Sequence, residues 1–285
     1  MNALVPLESL YEAERGSDLP LPSELATLYG RLQFPLHPGR PYIIGNFVTT
    51  LDGVVTLNVP GQSGGGPISG FNQHDHLVMG LLRAMADAVI VGAGTLRAVP
   101  HHRWTASYIY PAFAEAYQRL RTSLGKPEPP LNVIVTARGE VNLTLPVFQS
   151  GDVPVLIVTT TQGEERIRAQ SIPPAVQIVG VQHTGSLGAQ AIVQAVCAVR
   201  QCNDILVEGG PQLLGDFFAE KLLDELFLTL APQIAGRDTS TERPGLVTGQ
   251  HFAPEHPLWG TLVSVKRGGS HLFLRYAFET KETTP

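Results

Sequence analysis

The sequence predicts an α/β protein: a mixed, mostly parallel central sheet flanked by helices, with a C-terminal antiparallel hairpin. Three observations carry this. Short β-rich apolar runs alternate with segments of helical periodicity through the middle of the chain, the pattern of a parallel sheet. Two of those runs stop at glycine corners that open into helices, Gly92-Ala93-Gly94-Thr95 and Glu208-Gly209-Gly210-Pro211. The last two β-rich runs flank Arg267-Gly268-Gly269-Ser270, a hairpin signal that gives the sheet an antiparallel edge. A chain of 285 residues, 43% hydrophobic, buries a large core. It divides into an N-terminal helical extension, residues 1–40, and one main domain, residues 41–280.

Within the extension, residues 7–14 and 22–32 are amphipathic candidates separated by Gly16-Ser17-Asp18 and closed by Pro35, Pro38 and Pro41. Residues 43–48 form the first β-rich run, and Asp52-Gly53 is a turn signal between it and Val54-Val55. A glycine-rich loop follows over 58–70, and Ser69 or Asn72 caps a helix over 73–85, where Leu77, Val78, Leu81, Leu82 and Met85 share a face. Residues 88–91 read as a buried strand, 100–104 as an irregular loop rich in His and aromatic residues, and 108–124 as a helix. Strands are expected over 131–136, 155–160, 176–181, 205–207, 225–230, 262–266 and 271–278. Helices are expected over 162–168, over 187–200 with Ser186 as its cap, and from Pro211 onward, since proline suits a first helical position.

Composition excludes several functions. A net charge of −5 with no Lys/Arg run argues against nucleic acid as a partner. The start of the chain has no long apolar stretch, so neither a secretory signal nor a membrane anchor is expected, and a soluble cytoplasmic protein is. Cys197 and Cys202 form no Cys-x-x-Cys pair and read as reduced thiols. His74 and His76 lie about 200° apart on a helix and cannot face one metal; His101 and His102 are adjacent in a loop, so no metal site is expected. The zinc nucleobase-deaminase pattern and a Gly-x-Ser-x-Gly elbow are both absent. Gly92-x-Gly94 fails the dinucleotide fingerprint because Arg97 stands where a third small residue is needed. The corner from Glu208 to Pro211 remains: paired glycines allow close backbone approach and the helix start offers unpaired N–H groups, a combination that suits a phosphate.

Five blocks follow one another: Thr50-Leu51-Asp52-Gly53; Asp87 through Thr95; Val207-Glu208-Gly209-Gly210 with Leu214; Leu223-Asp224-Glu225-Leu226; and Ala231 through Gly236. In this order and spacing the chain resembles the pyrimidine reductase of riboflavin biosynthesis, the reductase half of the bacterial bifunctional deaminase/reductase, over about residues 41–278. The resemblance implies a dihydrofolate-reductase-like fold without a deaminase domain, a homodimer, and NADPH as cofactor. It also implies a small-molecule substrate, a pyrimidine 5′-phosphate whose ribosylamino sugar is opened and reduced at C1′. By the same resemblance Gly92, Gly94 and Thr95 contact the cofactor, Glu208, Gly209, Gly210, Pro211 and Gln212 hold its pyrophosphate, and Thr159 and Thr160 neighbour the adenosine ribose, with Arg138 a further candidate. Thr50 and Asp52 match a substrate-facing Ser-x-Asp-Gly corner, Ser69 matches a Ser/Thr near the substrate, and Asp52 and Glu208 are the catalytic candidates. Asp52 is equally explained by its turn, and Glu208 by nearby backbone donors. The chain departs from the family at Val99, where Asp is usual; His101, His102 or Arg103 then takes over part of that role, or the substrate differs. A reductase of dihydrofolate or another pterin, and a nucleotide-binding homologue without catalysis, are the alternatives on this fold.

Overall fold

A computed structural model describes residues 4–59, 63–182 and 187–280. In chain order the strands are β1 (Glu8–Glu12), β2 (Ser17–Asp18), β3 (Gln33–Phe34), β4 (Tyr42–Thr50), β5 (Ala88–Gly92), β6 (Leu131–Thr136), β7 (Val155–Thr160), β8 (Val176–Val181), β9 (Asp204–Val207), β10 (Glu225–Ala231), β11 (Gly260–Gly268) and β12 (His271–Phe278). The helices are α1 (Ser23–Tyr29), α2 (Gly65–Ser69), α3 (Gln73–Met85), α4 (Ala93–Ala98), α5 (Ala106–Ile109), α6 (Ala114–Ser123), α7 (Pro146–Gln149), α8 (Thr161–Arg168), α9 (Ala189–Val199) and α10 (Pro211–Ala219). None is long and apolar enough to cross a membrane.

Ten strands join in the order β1-β11-β12-β10-β4-β9-β5-β6-β7-β8, and β2 pairs separately with β3. From β10 to β8 every neighbour is parallel, while β12, β11 and β1 run antiparallel at the other end. The sheet is therefore mixed and mostly parallel, as the alternation of strand and helix signals predicts. Its central strands are apolar on both faces because both faces are covered. On β5, Val89 and Val91 pack with Leu77, Leu81 and Leu120 of α3 and α6, while Ala88 and Ile90 pack with Ile192, Leu214 and Phe217 of α9 and α10.

Local chemistry sets the helix ends. Of the two candidate caps for α3 it is Asn72 that acts, its Oδ1 accepting from His74 N at 2.9 Å and Asp75 N at 3.2 Å. Asn72→Ala is expected to cost about 1 kcal/mol and to lower the thermal midpoint by about 2–4 °C, read by calorimetric melting. The helix expected over 108–124 is interrupted: Pro111 has no N–H for the ladder, so a 3-10 turn at Pro111–Phe113 separates α5 from α6. The expected cap Ser186 lies outside the described residues. The first N–H groups of α9 are instead taken by Glu220, which accepts from Ala189 N at 2.7 Å and Gln190 N at 2.8 Å.

The extension differs from the expectation of two helical segments. Residues 8–12 are strand β1, antiparallel to β11, and only α1 is helical. All of β1 is solvent-exposed, so as a helix it has no apolar face to bury, whereas as a strand it satisfies the open backbone edge of β11. The extension is also pinned by charge. Glu225, fully buried, accepts from Arg15 Nε at 2.8 Å, Tyr42 Oη at 2.7 Å and Arg275 Nε at 2.5 Å.

Candidate active site

Strands β5 and β9 lie side by side, and the helices that follow them leave to opposite faces: Leu96 of α4 joins the core on the α3 side, Leu213 of α10 the core on the α9 side. A crevice opens where connections part in this way at strand C-termini. Here it is a cleft of about 880 Å³, within the range of roughly 300–1,000 Å³ typical of ligand pockets.

Its floor is the two glycine corners joined to each other. Gly92 N donates to Gly209 O at 2.8 Å, and Glu208 N donates to Ile90 O at 3.0 Å. The Gly209–Gly210 peptide is cis and Gly209 sits at φ 137°. A Cβ on Gly209 would stand 2.7 Å from Thr95 Oγ1, so glycine alone lets the corners approach this closely. Helix α10 begins here with Pro211 in its first turn and no side-chain cap on its first backbone N–H groups, and Pro211, Gln212 and Leu213 of that turn border the cleft.

One wall is a stripe of α3, Asp75, Met79 and Arg83 at four-residue spacing with His76 beside it. Arg83 meets Glu208 at the end of β9: Nε and Nη2 reach Oε2 at 2.9 and 2.8 Å, and Asn46 Nδ2 donates to Oε1 at 3.1 Å. The Arg83 and Glu208 side chains are 3% and 4% exposed, so this is a buried ion pair. Burial also pushes the Asp75 carboxyl above the usual range for Asp and the His76 imidazole below its own. The His102 imidazole is driven down to about 2, first by burial and then by the charges of Arg83 and His76, so it is neutral. Its ring packs 5.2 Å from Trp104 and 4.8 Å from Tyr108, and its buried Nε2 has no partner.

Of the residues singled out from the sequence, Gly92, Gly94, Thr95, Glu208, Gly209, Gly210, Pro211 and Gln212 come together around this cleft, and Val99 borders it. Thr50, Asp52, Ser69, Arg103, Thr159 and Thr160 are not among the bordering residues. Thr50 Oγ1 donates to Asp52 Oδ1 at 2.6 Å, and the Asp52 carboxylate accepts from Ala235 N at 3.1 Å and Gly236 N at 2.8 Å. Asp52 therefore ties its turn to the 235–236 loop. The Thr50 hydroxyl and these backbone N–H groups hold its carboxyl down to about 2. A depressed carboxyl favours the folded corner above the unfolded value near pH ~4 and loses that contribution as pH falls toward 2. The thermal midpoint of Asp52→Asn is accordingly expected to change less with acidification through that window than the parent's.

Ser69 is buried and donates to Gly66 O at 3.3 Å. Thr159 is buried with its Oγ1 unpaired, and Thr160 caps α8 while donating to Ala137 O at 2.8 Å. Arg103 pairs with Asp152 and stacks over Tyr108, and Arg138 pairs with Glu140. Arg83, Asn46 and Asp75 were missed by the sequence reading. Asn46 did carry a signal, a lone amide inside the apolar run 43–48, where a buried polar side chain requires a partner.

An uncapped helix start beside a glycine corner, in a cleft of this size with a buried unpaired nitrogen, fits a nicotinamide dinucleotide. By sequence the chain is 28% identical over 203 residues to the 2,5-diamino-6-ribosylamino-4(3H)-pyrimidinone 5′-phosphate reductase of Archaeoglobus fulgidus, covering 71% of this chain and 85% of that one. It is 29% identical over 201 residues to the riboflavin biosynthesis protein RibD of Chlamydia trachomatis, covering 70% of this chain and 48% of that longer protein. By structure it superposes on a pyrimidine reductase-like protein from Corynebacterium diphtheriae with a TM-score of 0.67 at 20% identity, covering 85% and 93% of the two chains. Acinetobacter baumannii RibD gives 0.61 at 20% identity, covering 85% and 59%. These two likenesses show a shared fold. The RibD C-terminal domain family matches residues 41–272, the whole of the parallel sheet and its cleft, and the chain belongs to that family.

Proposed function

We propose that the protein is an NADPH-dependent oxidoreductase that reduces the ribosylamino group of a pyrimidine at its C1′ carbon. The observation that carries this is the meeting of the two glycine corners, the uncapped start of α10 and the Arg83–Glu208 pair in one cleft of a chain of this family. The first turn of α10 and the Gly92–Thr95 corner receive the dinucleotide. When bound, its nicotinamide supplies the hydride.

The protein's own part is positioning. Arg83 and Asn46 hold the Glu208 carboxylate from both oxygens, which fixes the direction in which it accepts a hydrogen bond from a substrate N–H or O–H. Met79, Val99, Trp104 and Tyr108 keep water from the reacting carbon, and the neutral ring of His102 offers one further hydrogen bond. Calorimetry is expected to show NADPH binding, and absorbance to show its oxidation with a ribosylaminopyrimidine, giving a ribitylamino product by mass spectrometry. A protein that neither binds NADPH nor consumes it with that substrate overturns the proposal. The same reading includes a homodimer, and sedimentation as a monomer at micromolar concentration counts against that part of it.

A further inference from the structure

We infer that Asp75 is a catalytic residue of this cleft, the donor of the proton that the substrate takes up as it is reduced. The inference rests on the reductase reading above and adds a group to it. When hydride reaches C1′ of the opened sugar, the π pair of the C1′–nitrogen double bond moves onto nitrogen. That nitrogen becomes an N–H by taking the proton of the Asp75 carboxyl, and the carboxylate left behind regains a proton from water. The site therefore needs an acid as well as a fixed acceptor.

Two carboxyls of the cleft stand in opposite surroundings, the arrangement that separates an acid from its counterpart. Both oxygens of Glu208 already accept, one from Arg83 and one from Asn46. Asp75, two turns before Arg83 on the same face of α3 and so roughly 12 Å along the helix, borders the cleft and is 4% exposed. It is faced by the hydroxyls of Thr229 from β10 and Ser69 from α2, by His76 of its own helix and by His271 at the start of β12. His271 is already engaged, Nε2 donating to Ser69 O at 2.9 Å and Nδ1 accepting from Asn72 Nδ2 at 3.1 Å. The start of α3 favours a carboxylate through its partial positive charge, but the N–H groups of His74 and Asp75 are bonded to Asn72 Oδ1 instead. Burial outweighs the hydroxyls and imidazoles and keeps the proton on Asp75 to higher pH than on an ordinary Asp.

The other acids that border the cleft serve less well. Tyr108 donates its hydroxyl to His101 O at 2.9 Å, and His102 is a neutral imidazole, a far weaker acid than a carboxyl. Asp216 is half-buried, accepts from Gln250 Nε2 at 3.0 Å, and lies on the helix whose start receives the dinucleotide.

The test follows NADPH oxidation with a ribosylaminopyrimidine across pH in the parent, Asp75→Asn and Thr229→Val. Asn keeps the shape of Asp75 without its acidic proton, so kcat is expected to fall at least about 100-fold with KM little changed. In the parent kcat falls as pH rises through the raised Asp75 value, because the acid form is the active one. Thr229→Val removes a hydroxyl that favours the charged carboxyl, so this fall moves to higher pH. Melting of the free protein reads the same group without turnover. A carboxyl raised on folding contributes stability below its ordinary value near pH ~4 and loses it as pH rises through the folded value, so the thermal midpoint of Asp75→Asn changes less over that window than the parent's. An Asp75→Asn protein that turns over like the parent, or a fall with pH that Thr229→Val leaves unmoved, overturns the inference and leaves the reductase reading intact. Should Asp75→Asn fail to fold, Thr229→Val decides alone. A parent that consumes no NADPH with this substrate overturns the reductase reading and the inference together.

Discussion

Arg83→Ala is expected to lose reductase activity and about 3–5 kcal/mol of stability, the usual cost of removing one partner from a buried ion pair. The loss arises less from the missing attraction than from what stays behind. Glu208 remains buried with Asn46 as its side-chain partner, its other oxygen uncompensated. For a chain of this size the thermal midpoint falls by about 10 °C or more. Arg83→Lys keeps a charge but cannot place two N–H groups on one oxygen while also reaching Thr105 O, so a smaller loss is expected. Pairing Arg83→Ala with Glu208→Gln removes the stranded charge and is expected to recover part of the stability and none of the activity. Melting curves and NADPH oxidation on the four proteins test this, and an Arg83→Ala protein that melts and turns over like the parent sinks it.

Gly209→Ala is the second substitution with a large expected effect. The methyl group would stand 2.7 Å from Thr95 Oγ1, on a backbone at φ 137° that side chains rarely adopt. Strain of this kind costs about 1–3 kcal/mol, and relieving it parts the two corners, which breaks the bond from Gly92 N to Gly209 O. Calorimetry is expected to show NADPH affinity reduced by at least about tenfold, about 1.4 kcal/mol. Thr95→Ala added to Gly209→Ala removes the clash and leaves the backbone strain, so stability returns in part. Undiminished NADPH affinity in the single variant places the pyrophosphate elsewhere.

The parallel sheet was legible because its strands are continuous apolar runs, and the end of α3 because Asn72 is a good cap. Strand β1 was not: a short amphipathic segment fits either period, and what decides between them is an edge of β11 more than 250 residues away, Glu8 lying opposite Arg267. The site divides the same way. The glycine corners show in the sequence because the turn and a close approach both require glycine. The ion pair does not, since Arg83 and Glu208 are 125 positions apart and Asn46 and Glu208 162. Asp52 is ambiguous in the sequence for a different reason: an Asp-Gly pair that closes a turn looks the same whether or not it faces a substrate, and its carboxylate here is bonded to Thr50 and the 235–236 loop.

The edge strand has a consequence for how the chain assembles during synthesis. Strand β1 leaves the ribosome long before its partner β11, which spans Gly260–Gly268, and Glu225, to which Arg15 is tied, also binds Arg275. The parallel strands β4 to β9 can pair among themselves while this first segment has nothing to hold. Loop closure over such a distance comes late, so the β1 segment stays unpaired until β11 has been made and docks after the parallel strands. Its exposed Leu10 and Tyr11 travel unpaired until then, the interval in which a chaperone has most to bind.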